Sequence, residues 1–428
     1  MKKAVLGGVV ALAVGALLAG CSGGGSTPSS SAPAEKVTLS FQSLAYQDTT
    51  VAATKAIVDS WNKANPKIQV NLVQGSWDSV HDQLVTQFAG NTAPDIIHDE
   101  SADIGGFAQQ GYLADLSKYI APAVKSDVSN AVWKSVTFDG KIVAAPTLLQ
   151  SYVVFANTDA FKAAGVAVPT GASLSWADFA TLSKKLTAGG NFGLGWGLKS
   201  PTATVMNLAL GYGGGFFTTK SGTTSIKVGS NELAVPEDIN NMAYKDGSLD
   251  PVSLTQSGAD VLPGFYGGKY AMYVGGNYVA QQLVESAPAG FHWTVLPPIA
   301  GSKGTDQAAN PQTMSVSAQS KHIPQAAEFV NYFMEKQNLA KLAEGDWLIP
   351  TTKSASATVE ADTKGANGWK QALESGKGLT VAPFQTATNY PQWKDQIATP
   401  ALQQYFANKI SLDDLKKQLT DGWASVNG

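Results

Sequence analysis

Between residues 37 and 116 the hydrophobic period switches repeatedly between two and about 3.6, and this constrains the fold more than anything else in the chain. Val37, Leu39 and Phe41 alternate as on one face of a strand, and Thr54, Ile57, Val58 and Trp61 then fall at helical spacing until Asn65-Pro66 stops the helix. Ile68, Val70 and Leu72 alternate again. Val80, Leu84 and Phe88 return to the helical period, closed by Gly90. Pro94-Asp95-Ile96-Ile97 reads as a short buried strand, and Ile104 to Leu116 as a further helix. Strands alternating with helices in so short a stretch predict a parallel sheet with crossovers, an α/β fold. Ligands of open α/β sheets bind beyond the carboxyl ends of the strands. Here those ends are residues 42–47, 74–77 and 98–103.

Composition narrows the class. All 30 basic residues are lysine, against 33 acidic ones, for a formal charge of -3. With 15% charged and 44% apolar residues the chain is not of the disordered type. Without arginine it makes a poor nucleic-acid binder. Its 428 residues suit roughly two or three domains of about 150 residues each. Cys21 is the only cysteine, which excludes an intramolecular disulfide and a cysteine-based zinc site. Lys2 and Lys3, the apolar run from Ala4 to Ala19, and Gly20 have the plan of an export signal over residues 1–20. Leu18-Ala19-Gly20-Cys21 resembles the lipobox of bacterial lipoproteins, which implies lipidation of Cys21 and a hold on the membrane through acyl chains alone, at about 0.8 kcal/mol per buried CH₂. A plain secretory signal with an incidental cysteine is the alternative. Residues 21–36 are Gly/Ser/Pro-rich for most of their length and read as a flexible tether.

Farther on, Ile142 to Ala145 and Ser151 to Ala156 read as strands. Ser175 with Asp178 three residues later opens a helix, as does Ser411 with Asp414. Pro324 to Glu344 reads as one helix with Phe329, Val330 and Phe333 as its stripe. Glycines cluster from 193 to 215 without completing GxGxxG, no GxxxxGK[ST] occurs, and no repeat is visible. Nucleotide binding therefore has no motif behind it, and no cofactor is expected.

An ordered set of segments resembles one family, the extracellular solute-binding proteins of bacterial ABC transporters, in particular the sugar-binding group typified by maltose-binding protein. The segments are Ala93-Pro94-Asp95-Ile96-Ile97, Gly105-Gly106-Phe107-Ala108-Gln109 with Gly111-Tyr112-Leu113-Ala114-Asp115-Leu116, and Phe138-Asp139-Gly140-Lys141-Ile142 running on to Asn157-Thr158-Asp159. Then come Gly268-Lys269-Tyr270-Ala271-Met272, Gly275-Gly276-Asn277-Tyr278, Val295-Leu296-Pro297 and Ala326-Ala327-Glu328-Phe329. The resemblance implies a two-lobed periplasmic-binding-protein-like fold, with parallel-rich sheets and an interdomain cleft. It places crossings near Leu149-Gln150-Ser151, residues 310–314 and Ile349-Pro350-Thr351. Lobe 1 is then residues 37–149 and 313–349, and lobe 2 residues 150–312 and 350–428. It also implies a monomer that hands a small-molecule sugar to ABC permease subunits and is not an enzyme.

Sugars are held by planar amides, carboxylates and aromatic rings. The strand-end loops offer Gln42, Tyr46, Gln47, Trp77, Asp99, Glu100 and Asp103. The resemblance brings Asp99 and Asp103 into the cleft, where the maltose binder carries aromatic and arginine groups, and adds Gln150, Asn277, Tyr278, Trp347 beside Asp346, and Trp393. Asp99, Glu100 and Asp103 are alternatively solvated acids or a helix start. Trp77, Trp347 and Trp196 have packing as their alternative, and Trp61, Trp176 and Trp423 read as core. A metal site at residues 98–103 lacks a second histidine or a calcium-loop pattern. A glycosidase needs two carboxylates about 5–10 Å apart across the scissile bond, and no motif places the second. Lysine cannot reproduce the bidentate grip of arginine on anionic solutes. A neutral mono- or oligosaccharide is expected, with a polyamine or amino sugar as the alternative cargo.

Overall fold

The strands expected between residues 37 and 100 form as three parallel strands. The computed structural model describes residues 36–220 and 223–427; the segments expected to be the export signal and, up to residue 35, the tether, with Cys21, lie outside the described residues. β1 (Val37–Ser43) pairs in parallel with β2 (Ile68–Gln74) and with β3 (Ile96–Glu100), Phe41 lying level with Leu72 and with Ile96. The helix Asp48–Ala64 returns the chain between the first two strands and buries Ile57, Val58 and Trp61. The helix Val80–Ala89 does the same before β3, with Leu84 and Phe88 inward.

β4 (Ala144–Leu149) is followed after two residues by β5 (Tyr152–Asn157), which belongs to a second sheet with β6 (Phe192–Trp196), β7 (Tyr270–Gly276) and β8 (Trp293–Val295). β9 (Pro311–Val316) and β10 (Ile349–Pro350) return to the first sheet. The strand orders are β10-β4-β9-β3-β1-β2 and β8-β5-β7-β6. Within these two sheets, parallel pairing is confined to β1 with its two neighbours and to β6 with β7. Strands adjoining a crossing pair antiparallel instead, so the sheets are mixed: the chain re-enters each sheet from the end facing the other.

Two main cores form. The first packs Phe41, Trp61, Phe88, Phe107, Phe329 and Phe333 around the six-stranded sheet. The second packs Trp176, Phe179, Trp196, Phe217, Trp393 and Trp423 against one face of the four-stranded sheet, and a smaller cluster with Phe155, Phe265 and Tyr273 covers its other face. Trp61, Trp176 and Trp423 are core residues, as is Trp196, which stacks on Trp176.

Three boundaries differ from the expectation. The helix expected over 104–116 spans Ser101–Gln109, because Gly111 turns left-handed (φ 77°) and ends it. The helix expected over 324–344 is two, Ile323–Phe333 and Lys336–Asp346, broken at an extended Glu335 so that Leu339, Leu342 and Ala343 can be buried on a second axis. Residues after 349 do not pass directly to the second core. Ala355, Val359, Trp369 and Ala372 pack into the first, and Ala382 is the next to join the second. The third passage lies at Leu379–Thr380, which pairs with Gln307–Ala308, some thirty residues beyond the expected place. The helix Lys353–Thr363 buries only Ala355 and Val359, too faint a stripe to show which core it serves. Among the described residues no helix is long and apolar enough to cross a membrane.

Candidate functional site

At the carboxyl ends of β1, β2 and β3, between the two sheets, lies a cavity of about 680 Å³. Leu44 and Tyr46 beyond β1 and Gly75 to Asp78 beyond β2 form one wall with Glu100 at the end of β3. The other wall is Tyr152, Ala203, Asn207, Ala259 and Tyr278. The crossing segments supply the floor, with Gln150, Ala308, Asn310 and Gln312, and the helix Lys336–Asp346 adds Asp346 just before Leu348. Local conformation accounts for much of this. Parallel strands all end on the same side, so their loops converge there. Gly276 brings the Tyr278 ring and the Gln150 side chain against bare backbone, where a Cβ would lie 2.9 Å from Gln150 Cδ and clash with the ring.

Five of the sequence-predicted residues line this cavity: Tyr46, Trp77, Glu100, Gln150 and Tyr278. The other seven do not. Gln42 is buried beneath Gly75, its amide nitrogen without a partner. Gln47 donates to Asp346 Oδ1 at 2.7 Å and so sits behind the wall. Asp99 alternates with Glu100 along β3 and points into the interior, where it is fully buried and accepts from the Glu100 N–H at 2.8 Å. Asp103 faces His81 at 2.6 Å, a bond that raises the His81 pKa. Asn277 accepts from the Ser151 N–H at 2.9 Å and donates to the Trp347 carbonyl, which leaves its amide facing a crossing rather than the cavity. Trp347, left-handed at φ 54°, stacks on Trp369 at 5.4 Å and donates to the Asn367 carbonyl. Trp393 is 1% exposed, wedged between Phe217 and Trp423, with its N–H on the Leu419 carbonyl. Its match to a cleft residue is corrected to a core role.

Sequence reasoning missed Tyr152, Asn207, Asn310 and Gln312 and chose Trp347 over its neighbour Asp346. Asn207 had a signal, being the one amide in the otherwise apolar run Val205 to Leu210. Gln312 is the one partly buried residue in the otherwise buried β9.

Burial dominates the electrostatics. Glu100 is raised by burial, opposed by the nearby Lys394 charge and by the Asn310 amide that donates to it at 2.9 Å. Asp346 is likewise raised by burial, opposed by hydrogen bonds from Gln47, Thr50 and Gln312. His98, behind the wall, is pushed down to about 4 by burial. Tyr152 is pushed up to about 12 for the same reason and remains a phenol. The charged residues lining the cavity are Asp78, Glu100 and Asp346; among the described residues no lysine lines it. Nor does any group of three or more His, Cys, Asp or Glu among them stand ready to hold a metal. Both His98 ring nitrogens are already engaged, by the Leu44 N–H at 3.1 Å and by Gln312 Oε1 at 3.0 Å. What remains is a groove of ring faces, amides and carboxyls suited to a polyhydroxy solute.

Fold and groove together define a two-lobed binding protein. The chain belongs to the bacterial extracellular solute-binding protein family, which it matches over residues 46–340. An uncharacterized lipoprotein of Streptomyces antibioticus, encoded in the oleD 5′ region, is 42% identical over 94% of this chain and 88% of its own length. The maltodextrin-binding protein MdxE of Bacillus subtilis is 25% identical, covering 89% of this chain and 85% of that one. Among solved structures, the GacH receptor of Streptomyces glaucescens superposes with a TM-score of 0.76 at 21% identity, over 91% of this chain and 98% of that one. An ABC substrate-binding protein of Listeria monocytogenes in complex with cycloalternan gives 0.78 at 20%, over 92% and 98%.

Proposed function

We propose that this chain is the lipid-anchored receptor of an ABC importer, which captures a neutral mono- or oligosaccharide by closure of its two lobes and performs no chemistry on it. The observation that carries the reading is the cavity lining: four aromatic rings (Tyr46, Trp77, Tyr152, Tyr278), four amides (Gln150, Asn207, Asn310, Gln312) and no cation among the described residues. Rings meet the C–H faces of a pyranose and amides meet its hydroxyls. An anionic sugar would find acids in the lining and no lysine among the lining residues, Lys394 being already set against Glu100. The saccharides named with GacH, MdxE and the Listeria protein belong to those proteins and support the same class here. The 42%-identical lipoprotein supports an anchor on Cys21 at the outer face of the membrane, with the permease as the receiving partner. A second reading, a cationic solute such as an amino sugar, is favoured by one feature: the three charged side chains in the lining are all acids.

A thermal-shift panel of neutral sugars, amino sugars, polyamines and sugar acids on residues 35–428 tests this. A native-state ligand raises stability by RT ln(1 + [L]/Kd), so at a hundredfold excess over Kd it adds about 2.7 kcal/mol. Neutral saccharides should shift the melt. A panel in which only cationic or anionic solutes do so rejects the neutral-sugar reading.

A further inference from the structure

A chain of hydrogen bonds runs from the backbone through His98 to the cavity, and its direction is fixed at one end. The Leu44 N–H points at His98 Nδ1 at 3.1 Å. A backbone amide can only donate, so Nδ1 carries no proton and, in a neutral ring, Nε2 does. The downward shift of His98 agrees with a neutral ring. Nε2 lies 3.0 Å from the side-chain amide of Gln312, which must offer it oxygen. The amide nitrogen of Gln312 then faces Asp346 Oδ2, at 3.3 Å, while Gln47 and Thr50 donate to Oδ1 at 2.7 and 3.1 Å. Were the amide turned over, its oxygen would confront a carboxylate and its N–H an N–H, replacing two hydrogen bonds by two repulsive pairs.

We propose that His98, although it does not line the cavity, is a positioning residue that fixes the Gln312 amide, so that Gln312 and Asp346 together select a pair of adjacent hydroxyls on the solute. The inventory of free positions gives this pattern. Three of the roughly four lone-pair directions of Asp346 are taken, by Gln47, Thr50 and Gln312. The Gln312 oxygen keeps one lone pair beside its bond to His98, and its nitrogen keeps one N–H. The floor therefore presents one donor between two acceptors. A vicinal diol answers it by donating twice and accepting once, which an ether, a deoxy position or a carboxylate cannot do. This rests on the saccharide reading above and adds the device that orients one edge of the sugar.

The first test needs no solute. In ¹⁵N-labelled protein at pH 7, long-range ¹⁵N–¹H spectra of the ring should show His98 with Nδ1 bare and Nε2 protonated; the other three histidines are told apart by loss of the signal in His98→Asn. The Gln312 side-chain NH₂ should give one sharp pair in the wild type and exchange-broadened signals in His98→Asn. An Nδ1–H tautomer, an imidazolium, or unchanged Gln312 signals overturns the proposal. The second test titrates maltotriose calorimetrically. His98→Asn keeps an acceptor for the Leu44 N–H but loses the donor to Gln312, and should weaken binding about tenfold with little change in melting temperature. His98→Gln, whose amide reaches the Nε2 position, should restore most of the affinity. Trp77 packs edge-on to the His98 ring at 5.3 Å, so part of any loss could pass through it. A double-mutant cycle separates the two: in a Gln312→Ala background the His98→Asn loss should vanish, and a fully additive loss rejects the relay. If maltotriose does not bind the wild type and no other saccharide shifts its melt, the importer reading fails, while the ring-nitrogen and NH₂ signals still decide the relay.

Discussion

Taking an imidazole out of water sets the pH response of one residue. The pKa of His98 is about 4 in the folded chain against an ordinary value of 6.5, because burial disfavours its charged form. Below pH 6.5 the unfolded chain takes up this proton and the folded one does not, so stability present above 6.5 is lost as pH falls towards 4. At pH 5 the loss from this group is about 2 kcal/mol. Asp99, Glu100 and Asp346 act in the opposite sense: their pKa values are raised, so the folded state gains on the unfolded one as pH falls through the carboxylate range. The His98 contribution is therefore read by difference. Urea unfolding at pH 7 and pH 5 should show His98→Asn losing about 2 kcal/mol less than the wild type between the two. Equal losses mean the folded ring is not held neutral. A second contrast separates two tryptophans that look alike in the sequence. Trp393→Ala should cost roughly 3–5 kcal/mol of stability by emptying a core site. Trp77→Ala, at the cavity wall, should leave the melting temperature nearly unchanged and weaken saccharide binding about tenfold or more. The sequence shows why such pairs are hard to separate. The carboxyl end of β3 was legible as a site, yet which of Asp99 and Glu100 turns to the cleft depends on the pleat of β3. Asp99 was the residue matched by resemblance, and Glu100 is the one that lines the cavity.

At the level of elements, the periodic stretches came through well because burial on one face leaves a strong mark. The helices Asp48–Ala64 and Val80–Ala89 bury the residues their spacing picks out. Ser175 and Ser411 cap their helices by accepting from the Asp178 and Asp414 N–H groups. What did not come through are the elements whose position is set by distant partners. Gln312 belongs to β9, whose place between β3 and β4 depends on strands more than 160 residues away in sequence. Two glycines illustrate how local geometry divides between fold and site. An alanine Cβ at Gly193, in β6, would fall on the Ser183 carbonyl. Gly193→Ala should cost about 1–3 kcal/mol or more of stability in denaturant unfolding while leaving Kd for a bound saccharide unchanged. At Gly276, at the end of β7, the Cβ would displace the Tyr278 ring and Gln150. Gly276→Ala should instead weaken binding, by about tenfold or more, with a smaller change in stability. If calorimetry finds the two variants equal in affinity, the Tyr278 and Gln150 side chains do not form the binding surface.

For the molecule as a whole, the crossings matter most, since any closing of one lobe on the other must turn there. Asn277 is one of the groups that tie them together. The Asn277 N–H donates to the Ser151 carbonyl and its side-chain oxygen accepts from the Ser151 N–H, both at 2.9 Å, which fastens β7 to the first crossing. The same amide donates to the Trp347 carbonyl, two residues before β10 of the first sheet. Ser151 in turn contacts Ser375 through their hydroxyls at 2.7 Å. Asn277 thus joins a strand of the second sheet, the first crossing and the edge of the first sheet, while its chain neighbour Tyr278 lines the cavity and Gly276 packs against the Tyr278 ring and Gln150. Removing its amide leaves a buried N–H and a carbonyl without partners, at about 1–3 kcal/mol for each group left unsatisfied. Asn277→Ala should therefore lower unfolding stability by at least about 1 kcal/mol. It should also weaken saccharide binding beyond what a change in stability alone brings, because Gln150 and Tyr278 lose a common frame. Asn277→Asp keeps the acceptor for Ser151 but sets a carboxylate against the Trp347 carbonyl, so it should recover the first contact and not the second. Small-angle scattering with and without saccharide then reads the consequence. The wild type should contract on binding, and Asn277→Ala should contract less at saturating saccharide, since the joint no longer transmits the position of one sheet to the other. Equal contraction would show that the lobes turn about residues other than this tie.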